Sequence, residues 1–191
     1  MLSTQAQRRP SGKGWIARRA DIACVVPMSS SNARSKKAAV LPPPLPRLRA
    51  AARSAAGMAY APYSQFYVGA AIWTDAGLFS GANVENASYG LCNCAERTAI
   101  FSAVAAGARR LYCVAVFTPT PNPTLPCGAC RQVIYEFGPE ARVLSNCAGH
   151  DEIDTVIDAL LPGAFGPADL GVDPAAQGAV KKAVKRSKKA S

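Results

Sequence analysis

The 191 residues are 49% hydrophobic with a formal charge of +10, enough chain and apolar content for one domain with a genuine core. No apolar run approaches the roughly 20 residues of a membrane span, and the beginning lacks the continuous apolar stretch of roughly 7–15 residues that marks a secretory signal. The charge is uneven: residues 1–49 hold ten Lys or Arg against one acid, residues 174–191 hold six against none, and residues 50–173 hold six Arg against eleven acids. A segment at net −5 offers no basic groove for a phosphate backbone. The ends, rich in Ser, Pro and Lys, have the composition of disordered segments.

Three segments follow: a basic disordered extension over 1–44, a folded domain over 45–172, and a lysine-rich disordered tail over 173–191. A cytoplasmic setting is expected. The Arg- and Ser-rich start also fits an organelle transit peptide, and the closing lysines fit a nuclear address or a nucleic-acid-contacting tail.

Along the domain, residues 45–59 place Leu48, Ala51, Ala52, Ala55 and Ala56 on one helical face before Gly57, which predicts a first helix. Residues 66–74 and 78–85 read as strands joined by the turn residues Asp75, Ala76 and Gly77. A helix is predicted over 94–108, with Ala99, Ile100, Ala103 and Val104 inward. The apolar run 111–117 predicts a strand buried on both faces. A proline-rich loop leads to a helix over 127–138 that ends at Gly138 and Pro139. A short strand over 141–146 and a last helix over 152–161 complete the outline. This order implies an α/β fold, a mixed central sheet between helical layers.

Seven cysteines are an odd number for a disulfide framework, and intracellular thiols stay reduced, so clustered cysteines point to metal or chemistry. Two clusters open the two central helices: Cys92 and Cys94 with Glu96, then Cys127 and Cys130. A helix N-terminus stabilises thiolates through unpaired amides and roughly half a positive charge. Cys127 and Cys130 can reach one zinc ion from a single first turn, with Cys94 as the third ligand. Three ligands leave one position open, where a bound water's pKa falls toward ~7, and Glu96 is placed to move its proton. Arg97 can offset the surplus negative charge of three thiolates. Two other readings stand beside this one: a closed four-cysteine cage that includes Cys92, and a thioredoxin-like pair at Cys127 and Cys130.

Cys94-Ala95-Glu96, followed by Pro126-Cys127-Gly128-Ala129-Cys130, resembles the zinc deaminase signature. With YAPYSQFYVGAA, NVENASYG and LPGAFGP, the chain is similar to the small, homotetrameric, zinc-dependent cytidine deaminases from about Leu48 to about Leu170. The resemblance implies a three-layer α/β/α fold, one zinc per subunit, and hydrolytic deamination of cytidine and deoxycytidine. It implies Cys94, Cys127 and Cys130 as zinc ligands and Glu96 as the proton-transferring acid and base. Asn83 and Glu85 match the pair that holds the ribose hydroxyls, Phe66 the ring that packs on the nucleoside, and Ala95 a backbone contact to the pyrimidine. Ala87, Tyr89 and Phe165 match positions through which a neighbouring subunit completes the pocket.

Three departures from the pattern stand out. Cys92 occupies a position where Thr or Ser is expected, residues 145–154 are short for the usual hairpin, and the basic ends are atypical. Competing readings are a related deaminase acting on a blasticidin-like nucleoside, a polynucleotide editor recruited by the basic tails, and a non-enzymatic zinc module. The acidic middle argues against nucleic acid as a ligand of the core itself.

Overall fold

The computed structural model describes residues 44–179. The remainder of the basic extension and of the lysine-rich tail, expected to be disordered, lies outside the described residues. Residues 174–179, inside the stretch assigned to the tail, form a 3-10 turn.

Helix α1 (Leu45–Ala56) opens the domain with Leu48, Ala52, Ala55 and Ala56 buried, the face its spacing predicts. Strands β1 (Gly69–Thr74) and β2 (Gly77–Ala82) form the expected hairpin, closed where the Thr74 hydroxyl donates to the Gly77 carbonyl at 2.9 Å. Helix α2 (Ala95–Ala105), strand β3 (Leu111–Thr118), helix α3 (Gly128–Phe137) and strand β4 (Arg142–Cys147) follow. Strand β5 (Glu152–Val156) and the short helix α4 (Ile157–Leu160) come last.

The last elements correct the expectation of a helix over 152–161. Residues 152–156 pair antiparallel with 142–146 in a complete five-residue register, so the hairpin is short in its turn and not in its strands. Arg49 of α1 binds Glu152, with Nε to Oε2 at 2.6 Å, and Arg142 binds Asp154. Both pairs hold β5 against its neighbours.

The five strands run in the order β2-β1-β3-β4-β5, with β3 and β4 parallel and the other pairs antiparallel. Alternation along β3 divides the core. Cys113, Ala115 and Phe117 face α1, and Arg53 of α1 lies 4.2 Å over the Phe117 ring. Val114 and Val116 face the opposite layer with Ala99, Ile100 and Ile134 of α2 and α3. A register shift opposite Trp73 and Thr74 bulges β3 at its start, so Leu111 joins the face of Val114 despite their odd spacing. Removing a fully buried side chain such as Leu48 should cost about 2–5 kcal/mol. The result is the expected three-layer α/β/α arrangement.

This topology positions the site. Gly69 at the start of β1 pairs with Ala82 at the end of β2 and with Phe117 near the end of β3. The segment after β2 leads into α2 and the loop after β3 leads into α3, so both helices begin at the same end of the sheet. Ligands gather at the carboxyl ends of such strands.

Candidate active site

Cys94 is the N-cap of α2 and Cys127 the N-cap of α3, both in extended backbone conformation and neither making a side-chain capping hydrogen bond. Cys130 stands in the first turn of α3, buried. The three sulfurs all lie within 4.8 Å of one another, with Cys94 and Cys127 at 3.8 Å. Soft sulfurs converging in threes suit zinc, and the donor set fits one ion.

Cys92 is not part of this group, which among the described residues has three members. Its sulfur turns to the Asn86 backbone, accepting from the amide at 3.3 Å and donating to the carbonyl at 3.7 Å. The four-cysteine cage is therefore not what the fold assembles.

Electrostatics favour a thiolate here. The Cys94 thiol is lowered to about 5, chiefly by the hydrogen bond from Cys130 and then by Arg97. Arg97 Nη2 donates to Cys94 Sγ at 3.4 Å and to the Cys92 carbonyl at 3.3 Å. The Cys130 thiol, holding its hydrogen toward Cys94 in a buried place, is pushed up. Glu96 is only 4% exposed, and burial raises its carboxyl pKa, with the Cys94 charge adding to the effect. A buried carboxyl poised to hold a proton beside three sulfurs is equipment for acid–base work.

Beside the sulfurs opens a cavity of about 240 Å³. Cys94, Cys127, Ala95 and Glu96 line one part of it, and Phe66, Asn83 and Glu85 line another. All seven were singled out by the sequence. The sequence missed Val68, Asn93, Val116, Thr118, Thr124 and Leu125, the last two in the proline-rich loop that runs directly into Cys127.

Asn83 and Glu85 also hold the chain around them. Asn83 Oδ1 accepts from the Val68 amide and Nδ2 donates to the Phe66 carbonyl, both at 2.8 Å. Glu85 accepts from the amides of Tyr63 and Ser64 at 2.9 and 3.2 Å and from the Ser64 hydroxyl. Neither side chain is spent, since an amide has a second hydrogen and a carboxylate about four acceptor sites.

Ala87, Tyr89 and Phe165 do not line the cavity; all three are exposed, Tyr89 at 71% and Phe165 at 62%. His150, Cys113 and Cys147 lie outside it as well, the histidine exposed and the two thiols buried.

The family described as "Cytidine and deoxycytidylate deaminase zinc-binding region" matches residues 46–146, from α1 through the three cysteines and Glu96 to β4. The chain belongs to that family. It is 47% identical over 127 residues to a cytidine deaminase of Sporosarcina psychrophila, covering 65% of this chain and 93% of that protein. It is 50% identical over 115 residues to a cytidine deaminase of Halalkalibacterium halodurans, covering 59% and 86%. Among solved structures, a cytidine deaminase from Burkholderia pseudomallei superposes with a TM-score of 0.60 at 54% identity, covering 62% of this chain and 97% of that one. One from Mycobacterium tuberculosis does so at 0.57 and 40% identity, covering 65% and 99%. The zinc-binding character of the family agrees with the three-sulfur cluster.

Proposed function

We propose that the chain hydrolyses the amino group from cytidine and deoxycytidine, taking up water and releasing ammonia with uridine or deoxyuridine. The observation that carries this reading is the convergence of Cys94, Cys127 and Cys130 beside a buried Glu96, in a cavity whose other wall carries Asn83 and Glu85. The relatives named as cytidine deaminases support it.

Cys94, Cys127 and Cys130 would hold a zinc ion, which when bound would supply a Lewis acid that makes water nucleophilic near neutral pH. Glu96 takes one proton from the attacking water and delivers it to the ring nitrogen, then carries the second, from the hydroxyl so formed on the ring carbon, to the departing amine, a task its raised pKa suits. Arg97 donates to Cys94 and tempers the sulfurs' negative charge. The remaining amide hydrogen of Asn83 and the remaining acceptor site of Glu85 bind the sugar hydroxyls, Phe66 packs against the nucleoside, and the Ala95 backbone meets the pyrimidine. A phosphate would meet the Glu85 carboxylate, so the free nucleoside is the substrate.

The catalytic unit is the domain over 45–172. A homotetramer, in which the exposed Ala87, Tyr89 and Phe165 each complete a neighbour's pocket, accounts for two large aromatic rings left facing solvent. Thiol ligands must stay reduced, which favours a reducing compartment such as the cytoplasm.

The test is ultraviolet monitoring of cytidine with zinc-loaded wild type and Glu96→Gln. Wild type should turn over, and the variant should keep its zinc and lose about 10²–10⁴-fold in kcat. Wild type that carries zinc yet leaves cytidine and deoxycytidine intact refutes the proposal.

A further inference from the structure

The loop over 119–126 forms one wall of the cavity through Thr124 and Leu125 and delivers Cys127 to the sulfur cluster. Four of its eight residues, Pro119, Pro121, Pro123 and Pro126, are prolines, which have no amide hydrogen to donate. Such a loop is poorly able to knit itself together, so donors from outside must hold its carbonyls.

Those donors are present. The Ala148 amide donates to the Thr120 carbonyl at 3.0 Å, and the Cys147 thiol to that of Pro121 at 3.2 Å. Arg131 Nε donates to the Pro126 carbonyl at 2.8 Å. Within the loop the Thr120 hydroxyl holds the Asn122 carbonyl at 2.7 Å and pairs with the Thr118 hydroxyl, also at 2.7 Å. The Thr124 carbonyl is held by the hydroxyl of Ser145.

Ser145 differs from the others in two respects. It is 0% exposed, in the middle of β4 between β3 and β5. It also holds the one carbonyl in this set that belongs to a cavity-lining residue. Burying a hydroxyl in a sheet costs free energy unless it is bonded, and among the described residues the buried polar side chains are only Thr74, Glu96, Thr118 and Ser145. Thr74 closes a hairpin away from the cavity. The Ser145 hydroxyl has its partner in the wall of the site.

We propose that Ser145 is a positioning residue: its hydroxyl, acting through the Thr124 carbonyl, fixes the cavity wall at Thr124 and Leu125 and the approach of Cys127 to the metal cluster. This rests on the proposed deaminase activity for its kinetic readout but not for its metal readout. Without the hydroxyl, Thr124 and Leu125 lose their anchor to the sheet. Substrate binding then weakens more than turnover, and the Cys127 sulfur is released more often.

The experiment compares the full-length, zinc-loaded chain with Ser145→Ala, Ser145→Thr and the control Thr74→Ala. It reads KM and kcat for cytidine, Tm, and the rate of zinc transfer to a chromogenic chelator. Ser145→Ala should raise KM about fivefold or more with a smaller change in kcat and speed zinc release several-fold, the effect expected for one lost buried hydrogen bond. Ser145→Thr, which keeps the hydroxyl, should restore both. Thr74→Ala should lower Tm and leave KM and zinc release unchanged. If Ser145→Ala does not fold, Ser145→Cys, a weaker donor of similar size, should lie between wild type and loss. KM and zinc release within twofold of wild type would overturn the proposal, as would the same changes in Thr74→Ala. Wild type inert toward cytidine would remove the substrate reading alone, and zinc release would still decide the role of Ser145.

Discussion

The sulfurs of Cys94 and Cys127 stand 3.8 Å apart although 33 positions separate them in sequence, and each sits on the first turn of its own helix. Neither helix can hold the metal by itself, and the third sulfur, Cys130, rises from the same turn as Cys127. Replacing Cys94, Cys127 or Cys130 by Ala should therefore abolish stoichiometric zinc, read by elemental analysis of the purified chain. Cys92→Ser should keep one zinc per chain, because its sulfur is engaged by the Asn86 backbone. Metal loss in Cys92→Ser would mean that a fourth sulfur takes part.

The Glu85 carboxyl lies below its ordinary 4.5, chiefly because the Ser64 hydroxyl donates to its charged form, with the amides of Tyr63 and Ser64 adding. The folded value is below the unfolded one, so the stabilisation is complete above the unfolded value and disappears as pH falls through the folded one. The Tm difference between wild type and Glu85→Gln should stay constant from about pH 7 to about pH 5.5 and close below about pH 4.5. A difference that grows on acidification would contradict this account of the loop at 63–66.

Two glycines let helices sit directly on the sheet. A Cβ on Gly81 would meet the Ala99 amide nitrogen at 2.5 Å and the Ala95 carbonyl at 2.8 Å, both in α2. On Gly69 it would meet the Ala52 carbonyl at 2.0 Å and the Ala56 amide nitrogen at 2.4 Å, both in α1. Each Gly→Ala change should destabilise by about 1–3 kcal/mol in chemical denaturation, through overpacking. Only Gly81→Ala should also weaken zinc binding, since it displaces the helix that Cys94 begins. Equal metal loss in both would show that the sulfur cluster responds to general loosening.

Much of the domain was legible from spacing, because its helices and inner strands carry their burial in their own sequence. Leu48, Ala52, Ala55 and Ala56 repeat at helical intervals, and β3 is apolar throughout. Strand β5 was not legible for a matching reason. Ile153, Ile157 and Leu160 fall at helical spacing, and what makes 152–156 a strand is the open edge of β4 together with Arg49 and Arg142, partners that no local window contains.

The site was legible where its chemistry is concentrated in residue types, as at the cysteines and Glu96. It was opaque where ordinary residues do the shaping. Thr124 and Leu125 carry no chemical mark, and Ser145 is a plain strand serine until its hydroxyl is seen to reach across to the loop.

Both central helices begin with a cysteine where Ser, Thr, Asp or Asn would ordinarily tie down the first amides. Their opening turns are thus left to be fastened by the same ion. Loading becomes an all-or-nothing event: a chain that has captured the metal has locked two distant stretches of backbone at one stroke, and a chain stripped of it should fray at both together.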